Sequence, residues 1–517
     1  MMSDKFKFFK SVSVIVVATV ISKVAGFIRE AVLASKFGAS VETDAYIMAI
    51  TIPMTLFATA GMALTTTFIP LFNEKLHNKG KDDAFDFANN IINIFAVILI
   101  GLSLIGIIAA PLIVRIVAFG FKGEAYQLSV TMVRITFPMI LFIGLSAILS
   151  GILNAMGIYS PPAFKGIPYN IILIAFMLFF SSLFGIYGLA VSTLIATLSE
   201  IFVQIPALKK AGFVYRFRLD FMDKALQRQI ILVGPILVGT AADQLNVLVD
   251  RTLGSTLPKG SISALNYANR LDGFIIGIFI NAITTVVYTD LTKLSAKNDR
   301  QAYASSLTNV SKLMIFFAMP IAVGGAALAD LIVKAAYQRG AFTAQDTALT
   351  SAAFLFYVLG MVGYSLRHML SRAFYAMKDT RTPVKNGIIA IGVNIILNLV
   401  FIGPMKAPGL ALATAISATV TAVLLLIQFH RRLEGFDLKE IAVFAGKAAA
   451  GSLIMGGVVW GLKKALIPLG GLSTLATLAA VLGLVVVGIL VYVIVSYFLR
   501  VEELSQVAGL IKKKIRG

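Results

Sequence analysis

The residues best suited to chemistry are ionisable or amide side chains set inside otherwise apolar runs. Lys23, Arg29 and Glu30 lie in the first such run and Asp44 opens the second. The seventh carries Asp243, Asp250 and Arg251, and the eighth carries Asn269, Arg270 and Asp272. A charge at the centre of a membrane helix costs roughly 2.5–3.5 kcal/mol on insertion scales unless it snorkels, pairs or faces water, so each marks either a function or a fixed pair. The cations favour an anionic ligand, because arginine offers a planar fork matched to phosphate oxygens and lysine a point charge. A plainer alternative has Arg29 paired with Glu30 or Asp44, and Arg251 with Asp250, closing helix ends. Lys23 and Arg29 stand six residues apart, about 120° from a shared direction at 3.6 residues per turn. Both reach one cavity only through a bend, which Gly26 permits, or through converging side chains. Arg115, Arg134 and Lys334 lie near the ends of runs, where snorkelling explains them, and Arg367, His368 and Arg372 form a basic stripe that reads as a solvated flank or a headgroup contact.

The elements that must position these groups follow from composition. The chain has 517 residues, is 58% hydrophobic and 14% charged, and has a mean hydropathy of +0.89, which excludes an ordinary soluble protein. Its net charge of +20 would suggest nucleic acid in a soluble chain; in this one the bilayer is the partner to test, and no nucleic acid is expected. There is no cysteine, the three histidines are far apart, and no phosphate-binding glycine loop occurs, so no metal, cofactor, ATPase or catalytic residue is expected. A membrane helix needs roughly 20 mostly apolar residues. Spans are predicted at 11–36, 44–70, 86–118, 127–153, 162–184, 187–207, 228–254, 261–290, 310–337, 345–376, 384–403, 408–429, 441–463 and 473–499. The fold class is thus an all-α polytopic membrane protein of about fourteen transmembrane helices. Pro53, Pro138, Pro235 and Pro320 sit inside spans and should kink them.

Lys5, Lys7 and Lys10, the segments 73–83, 209–228, 293–312, 378–385 and 431–439, and the tail 500–516 are rich in Lys and Arg and fall on one side of this plan. The positive-inside rule makes that side, with both termini, cytoplasmic. The apolar stretch after Lys10 runs on into Arg29-Glu30 without a small-residue cleavage site, so it reads as a retained first helix. Ala155-Met156 recurs as Ala376-Met377, Pro162 as Pro383, and Gly188-Leu189-Ala190 as Gly409-Leu410-Ala411, each 221 residues on. Arg29-Glu30 and Asp250-Arg251 share that offset with reversed order. A repeat of six helices returns the chain to its starting side, giving two parallel six-helix repeats plus two extra C-terminal helices. The expected domains are 1–215, 216–435 and 436–517, the last comprising two helices and a basic tail. Such a plan suits a transporter working by alternating access.

The run Ser22-Lys23-Val24-Ala25-Gly26-Phe27-Ile28-Arg29-Glu30, then Phe37-Gly38-Ala39 and Thr43-Asp44-Ala45-Tyr46, resembles the opening of the MurJ/MviN lipid II flippase family. The likeness continues through Phe68-Ile69-Pro70, Ala268-Asn269-Arg270-Leu271, Gly340-Ala341-Phe342-Thr343 and Thr382-Pro383-Val384-Lys385 and covers essentially the whole chain. It implies the multidrug/oligosaccharidyl-lipid/polysaccharide exporter fold, a bacterial cytoplasmic-membrane location, and transport of the undecaprenyl-pyrophosphate-linked peptidoglycan precursor to the outer leaflet. Carried over by position, Arg29 and Arg270 match cavity arginines of the family, Lys23 stands where an arginine is common, and Asp44 matches a cavity aspartate. Asp250 matches a position linked with a cation site in some members. Two departures are visible: apolar sequence around Phe57-Ala58 replaces an arginine of some members, and Asn269 replaces the acid that often precedes Arg270. The expected substrate-binding set is Lys23, Arg29, Asp44, Asn269 and Arg270, acting in a monomer among membrane lipids, with a monovalent cation or the membrane potential as energy source. The remaining readings are an exporter of another polyprenyl-linked glycan or of a drug, and a membrane enzyme acting on a polyprenyl phosphate. A drug-cation exporter would want an acidic cavity, and such an enzyme an acidic motif in a sizeable loop.

Overall fold

The computed structural model describes residues 2–297, 299–466, 473–501 and 503–504. The tail Lys512-Lys513-Lys514 and the side chains of Lys5, Lys7, Lys10, Pro235 and Asp243 lie outside the described residues. All regular structure among the described residues is helical, and the chain divides into two compact units, Met1–Ser263 and Ala264–Gly517.

The first unit holds α1 (Met2–Phe37), α2 (Val41–Lys79), α3 (Lys81–Val117), α4 (Glu124–Thr136), α5 (Met139–Ala155), α6 (Ser160–Phe164), α7 (Gly166–Phe179), α8 (Ser181–Lys210) and α9 (Lys224–Gly254). α10 (Ser261–Ala296) starts at its end. The second unit continues with α11 (Arg300–Ala327), α12 (Ala329–Tyr337), α13 (Ala344–Leu359), α14 (Met361–Ala376), α15 (Arg381–Met405), α16 (Ala407–Arg432), α17 (Leu438–Leu466) and α18 (Thr474–Phe498). Nine spans among the described residues are long and apolar enough to cross a membrane, α4 and α5 together forming one of them, and the pair α13 and α14, bent by 45°, makes a tenth. The chain is therefore a multi-pass membrane protein.

Local sequence explains where the helices stop. α1 ends at Gly38, whose φ of +61° is the left-handed conformation that glycine adopts without a Cβ penalty. Ser40 then caps α2, its hydroxyl accepting from the Thr43 N–H at 3.2 Å. Thr343 and Asp346 form a reciprocal capping box at the start of α13. Pro138 separates α4 from α5, whereas Pro53 and Pro320 lie inside helices that continue through them. The repeat is carried into these elements: α5 ends at Ala155 and α14 at Ala376, each after a helix broken near its middle, at Pro138 and at Gly360. The predicted span 310–337 is two helices, because the chain breaks at Leu328, and 162–184 is interrupted at Phe180, while its predicted end falls at the kink that Gly185, with a φ of +56°, puts into α8.

In the first unit a cluster of buried aromatic and aliphatic side chains joins α2, α3 and α5, with Phe68 stacked on Phe87 at 5.6 Å and beside Phe72 at 5.5 Å. α9 packs along α2 and is tied to its end by Arg228–Glu74 at 3.0 Å and Lys75–Asp223 at 3.4 Å. Spatial and repeat divisions are thus different quantities: α9 opens the second repeat in sequence yet lies in the first unit.

In the second unit Tyr267, Tyr337 and Phe342 pack together with ring centroids 5.1–5.7 Å apart. α14 meets α16 so closely at Gly363 that a Cβ there would lie 2.6 Å from the Thr419 backbone, the small-residue contact common between membrane helices. The hairpin of α17 and α18 lies on α11 and α12. It is held at one end by buried Lys312, which pairs with Glu440 at 2.6 Å and Glu503 at 3.0 Å, and at the other by Lys463 with Asp330.

Candidate substrate-binding residues

In the first unit α1 packs against α7 because small residues let them approach: a Cβ on Gly166 would stand 2.6 Å from the Ser22 hydroxyl oxygen. That approach brings Arg29 to Asn170. The guanidinium donates to the Asn170 Oδ1 at 3.1 Å and to the Glu30 carboxylate at 2.6 Å, and its carbon stands 5.5 Å from the Tyr169 ring centroid. Asn170 is itself held by donation from its amide to the Gly166 carbonyl at 2.7 Å. Glu30 is buried, while 18% of the Arg29 side chain stays exposed. Of the five N–H donors on the guanidinium, Glu30 and Asn170 take two. The other three are without partners among the described residues, which suits a preorganised receptor for an anion.

Arg29 thus pairs with Glu30 and not with Asp44. α1 runs unbroken through Gly26, and Lys23, half-buried, lies about 9 Å from Arg29 along the axis by the helical rise. Among the described residues Lys23 makes no ion pair.

Asp44 is buried and fully engaged. One oxygen accepts from the Gly260 N–H at 2.7 Å, and the other from the Ser263 N–H at 2.7 Å and its hydroxyl at 2.5 Å. Helix starts carry unpaired N–H groups and partial positive charge, so a carboxylate on α2 here caps the first turn of α10. Arg251 donates to the Ile262 carbonyl at 3.0 Å and grips the same segment. Asp250 is half-buried on α9.

In the second unit Asn269 and Arg270 are exposed on α10, and Asp272 is buried. His368 of the basic stripe stacks on Tyr364 with centroids 6.2 Å apart.

The residues missed from sequence are Asn170 and Tyr169. A lone asparagine in the apolar run Ile167-Pro168-Tyr169-Asn170-Ile171-Ile172 was the available signal, since a buried amide in a membrane helix needs a partner.

The profile of the lipid II flippase MurJ family matches residues 33–500. A protein of Buchnera aphidicola described as a probable lipid II flippase MurJ is 31% identical over 419 residues, covering 80% of this chain and 82% of its own. A solved structure of a lipid II flippase MurJ in an inward closed conformation superposes with a TM-score of 0.80 at 31% identity, covering 94% of this chain and 98% of its own. An inward-facing multidrug resistance transporter of the MATE family, from the MOP superfamily, superposes with a TM-score of 0.66 at 14% identity, covering 83% and 96%, which shows a common fold. With its multi-pass helical architecture and this likeness along nearly its whole length, the chain belongs to the lipid II flippase MurJ family, whose members are transporters and not enzymes.

Proposed function

We propose that this protein moves lipid II, the undecaprenyl-pyrophosphate-linked peptidoglycan precursor, from the cytoplasmic to the outer leaflet of the bacterial inner membrane, serving cell-wall synthesis. The observation that carries this reading is the family likeness over residues 33–500. The chemistry of Arg29 agrees with it, since a half-engaged guanidinium at membrane depth is suited to phosphate oxygens. Lys23 and Arg29 on α1, and Asn269 and Arg270 on α10, supply the cations and donors that meet the pyrophosphate during an alternating-access cycle. Asp44 serves this set by holding the start of α10, and Asp250 offers a carboxylate to a coupling cation. Outward movement of a pyrophosphate is also favoured by an inside-negative potential, at about 2.3 kcal/mol per charge per 100 mV.

The same proposal has both termini in the cytoplasm, α1, α2, α9 and α10 crossing the bilayer with the ten apolar spans to make fourteen, and a monomer as the working unit. The domains are two lobes, 1–215 and 216–435, followed by 436–517. The test is growth of a flippase-depleted bacterium carrying this gene at normal expression. Wild type should restore growth, and Arg29→Ala and Arg270→Ala should not. Rescue by both variants removes them from the substrate set, and failure of wild type overturns the substrate.

A further inference from the structure

The segment 213–220 between α8 and α9 has no regular secondary structure and forms a strap lying across the first part of α3. Three buried asparagines on α3 hold its backbone. The Asn89 Oδ1 accepts from the Arg216 N–H at 3.1 Å, and its amide donates to the Val214 carbonyl at 3.0 Å. The Asn93 amide donates to the Arg216 carbonyl at 3.1 Å. Asn90 accepts from the Asp220 N–H at 2.7 Å and donates to its carbonyl at 2.8 Å. Side-chain amides thereby replace a neighbouring strand, and the strap keeps the two-residue alternation of a strand. Within it Tyr215, Phe217 and Leu219 alternate with the charged Arg216, Arg218 and Asp220, and further exposed apolar side chains flank this run at Val214, Phe221 and Met222.

Large apolar side chains this exposed need an explanation; Phe217 is 74% exposed and Tyr215 and Phe221 are more than half exposed. Depth along α3 supplies one. The stripe of α3 that carries Asn89 and Asn93 continues at helical spacing through Val97, Ile100, Leu104 and Ile108, all exposed aliphatic residues on a span of the membrane protein. Val97 is four residues beyond Asn93, about 6 Å along the axis. The strap therefore covers, just below the lipid-facing surface, the same face of α3 that meets lipid above.

Side chains of the two kinds reach in opposite directions along that axis. The Tyr215 hydroxyl donates to the Asn93 Oδ1 at 2.6 Å, toward the apolar end. Arg218 and Arg216 instead reach Asp86, at 3.3 and 3.7 Å, seven residues or about 10 Å farther from the lipid-facing stripe. Aromatic side chains concentrate at this depth in membrane proteins, and the exposed Lys209, Lys210 and Lys224 at the two ends of the strap suit a headgroup layer.

We propose that the strap 213–222 is an interfacial anchor: its odd-numbered aromatic row inserts into the headgroup layer of the adjacent leaflet, fixing the connection between α8 and α9 to the membrane surface. The natural chain has no cysteine, so single spin labels on the full-length protein report without background. Phe217→Cys, Phe221→Cys and Arg216→Cys are labelled separately and reconstituted into vesicles of phosphatidylethanolamine and phosphatidylglycerol. Collision rates are then read with oxygen, which partitions into lipid, and with a water-soluble nickel chelate. The expected result is a several-fold higher oxygen-to-nickel ratio at 217 and 221 than at 216. Equal ratios at the three positions overturn the proposal, and so does shielding of 217 and 221 that persists unchanged in detergent without lipid, because protein contacts would then cover the row. Thermal unfolding of each labelled protein beside the cysteine-free parent separates a mispositioned strap from a misfolded one.

Discussion

Asp44 and Ser263 are 219 residues apart in sequence, yet the carboxylate of one accepts both the backbone N–H and the hydroxyl of the other, at 2.7 and 2.5 Å. The second oxygen takes the Gly260 N–H, so α2 supplies the cap that α10 lacks in its own sequence.

Asp44→Ala leaves buried N–H groups without an acceptor, at roughly 1–3 kcal/mol each. The expected loss is about 2–4 kcal/mol, read as a lower thermal midpoint of the purified protein in detergent. An unchanged midpoint would show that the cap carries no stability.

Asn170→Ala removes the acceptor that orients Arg29 without removing its charge. A hydrogen bond of this kind contributes about 1 kcal/mol, or roughly fivefold. The lipid translocation rate in proteoliposomes should fall by that factor with the thermal midpoint little changed. A rate equal to wild type would mean that Asn170 does not position Arg29.

Lys312 and Glu440 form one ion pair with unequal exposure, 7% and 48% of the side chains, and Glu503 beneath them is buried. Lys312→Ala strands a buried carboxylate, and breaking such a pair typically costs about 3–5 kcal/mol. Glu440→Ala leaves Lys312 paired with Glu503 and should cost under about 1 kcal/mol. Thermal unfolding distinguishes them, and equal losses would show that the buried Glu503 does not hold Lys312 once Glu440 is gone.

Asp379, in the connection between α14 and α15, gives a pH dependence. Partial burial pushes its pKa up, but the Thr382 hydroxyl at 2.6 Å, the Thr382 N–H at 3.0 Å and Arg432 at 2.5 Å outweigh it and hold the carboxyl at about 2. The folded value is depressed below the ordinary aspartate value near 3.9. The stabilisation is therefore complete above about pH 4 and is lost as pH falls toward 2. The difference in thermal midpoint between wild type and Asp379→Asn should shrink between pH 5 and pH 3, and a difference constant over that range would contradict it.

Much of the fold is legible in sequence because it is local. The Phe37-Gly38-Ala39 run ends α1 through the positive φ of Gly38, and Gly340-Ala341-Phe342-Thr343 turns the chain and opens α13 through a capping box. Apolar length marks the spans, since the bilayer requires each to satisfy its own backbone. The breaks at Leu328 and Phe180 are not legible, because no proline or charge stands at either residue.

Sequence alone singled out Lys23, Arg29, Asp44, Asn269 and Arg270 as charged or amide side chains within apolar runs, through the cost of burying charge there. Which groups those charges meet was decided only by tertiary structure. Arg29 finds Asn170 across 141 residues, Asp44 finds Gly260 and Ser263 across more than 200, and Asn89, Asn90 and Asn93 find a backbone more than 120 residues away. Helical periodicity places a side chain on a face, but hydrogen bonds act over about 3 Å. That distance is set by which helices pack together, and pairing at such separations has no local pattern to read.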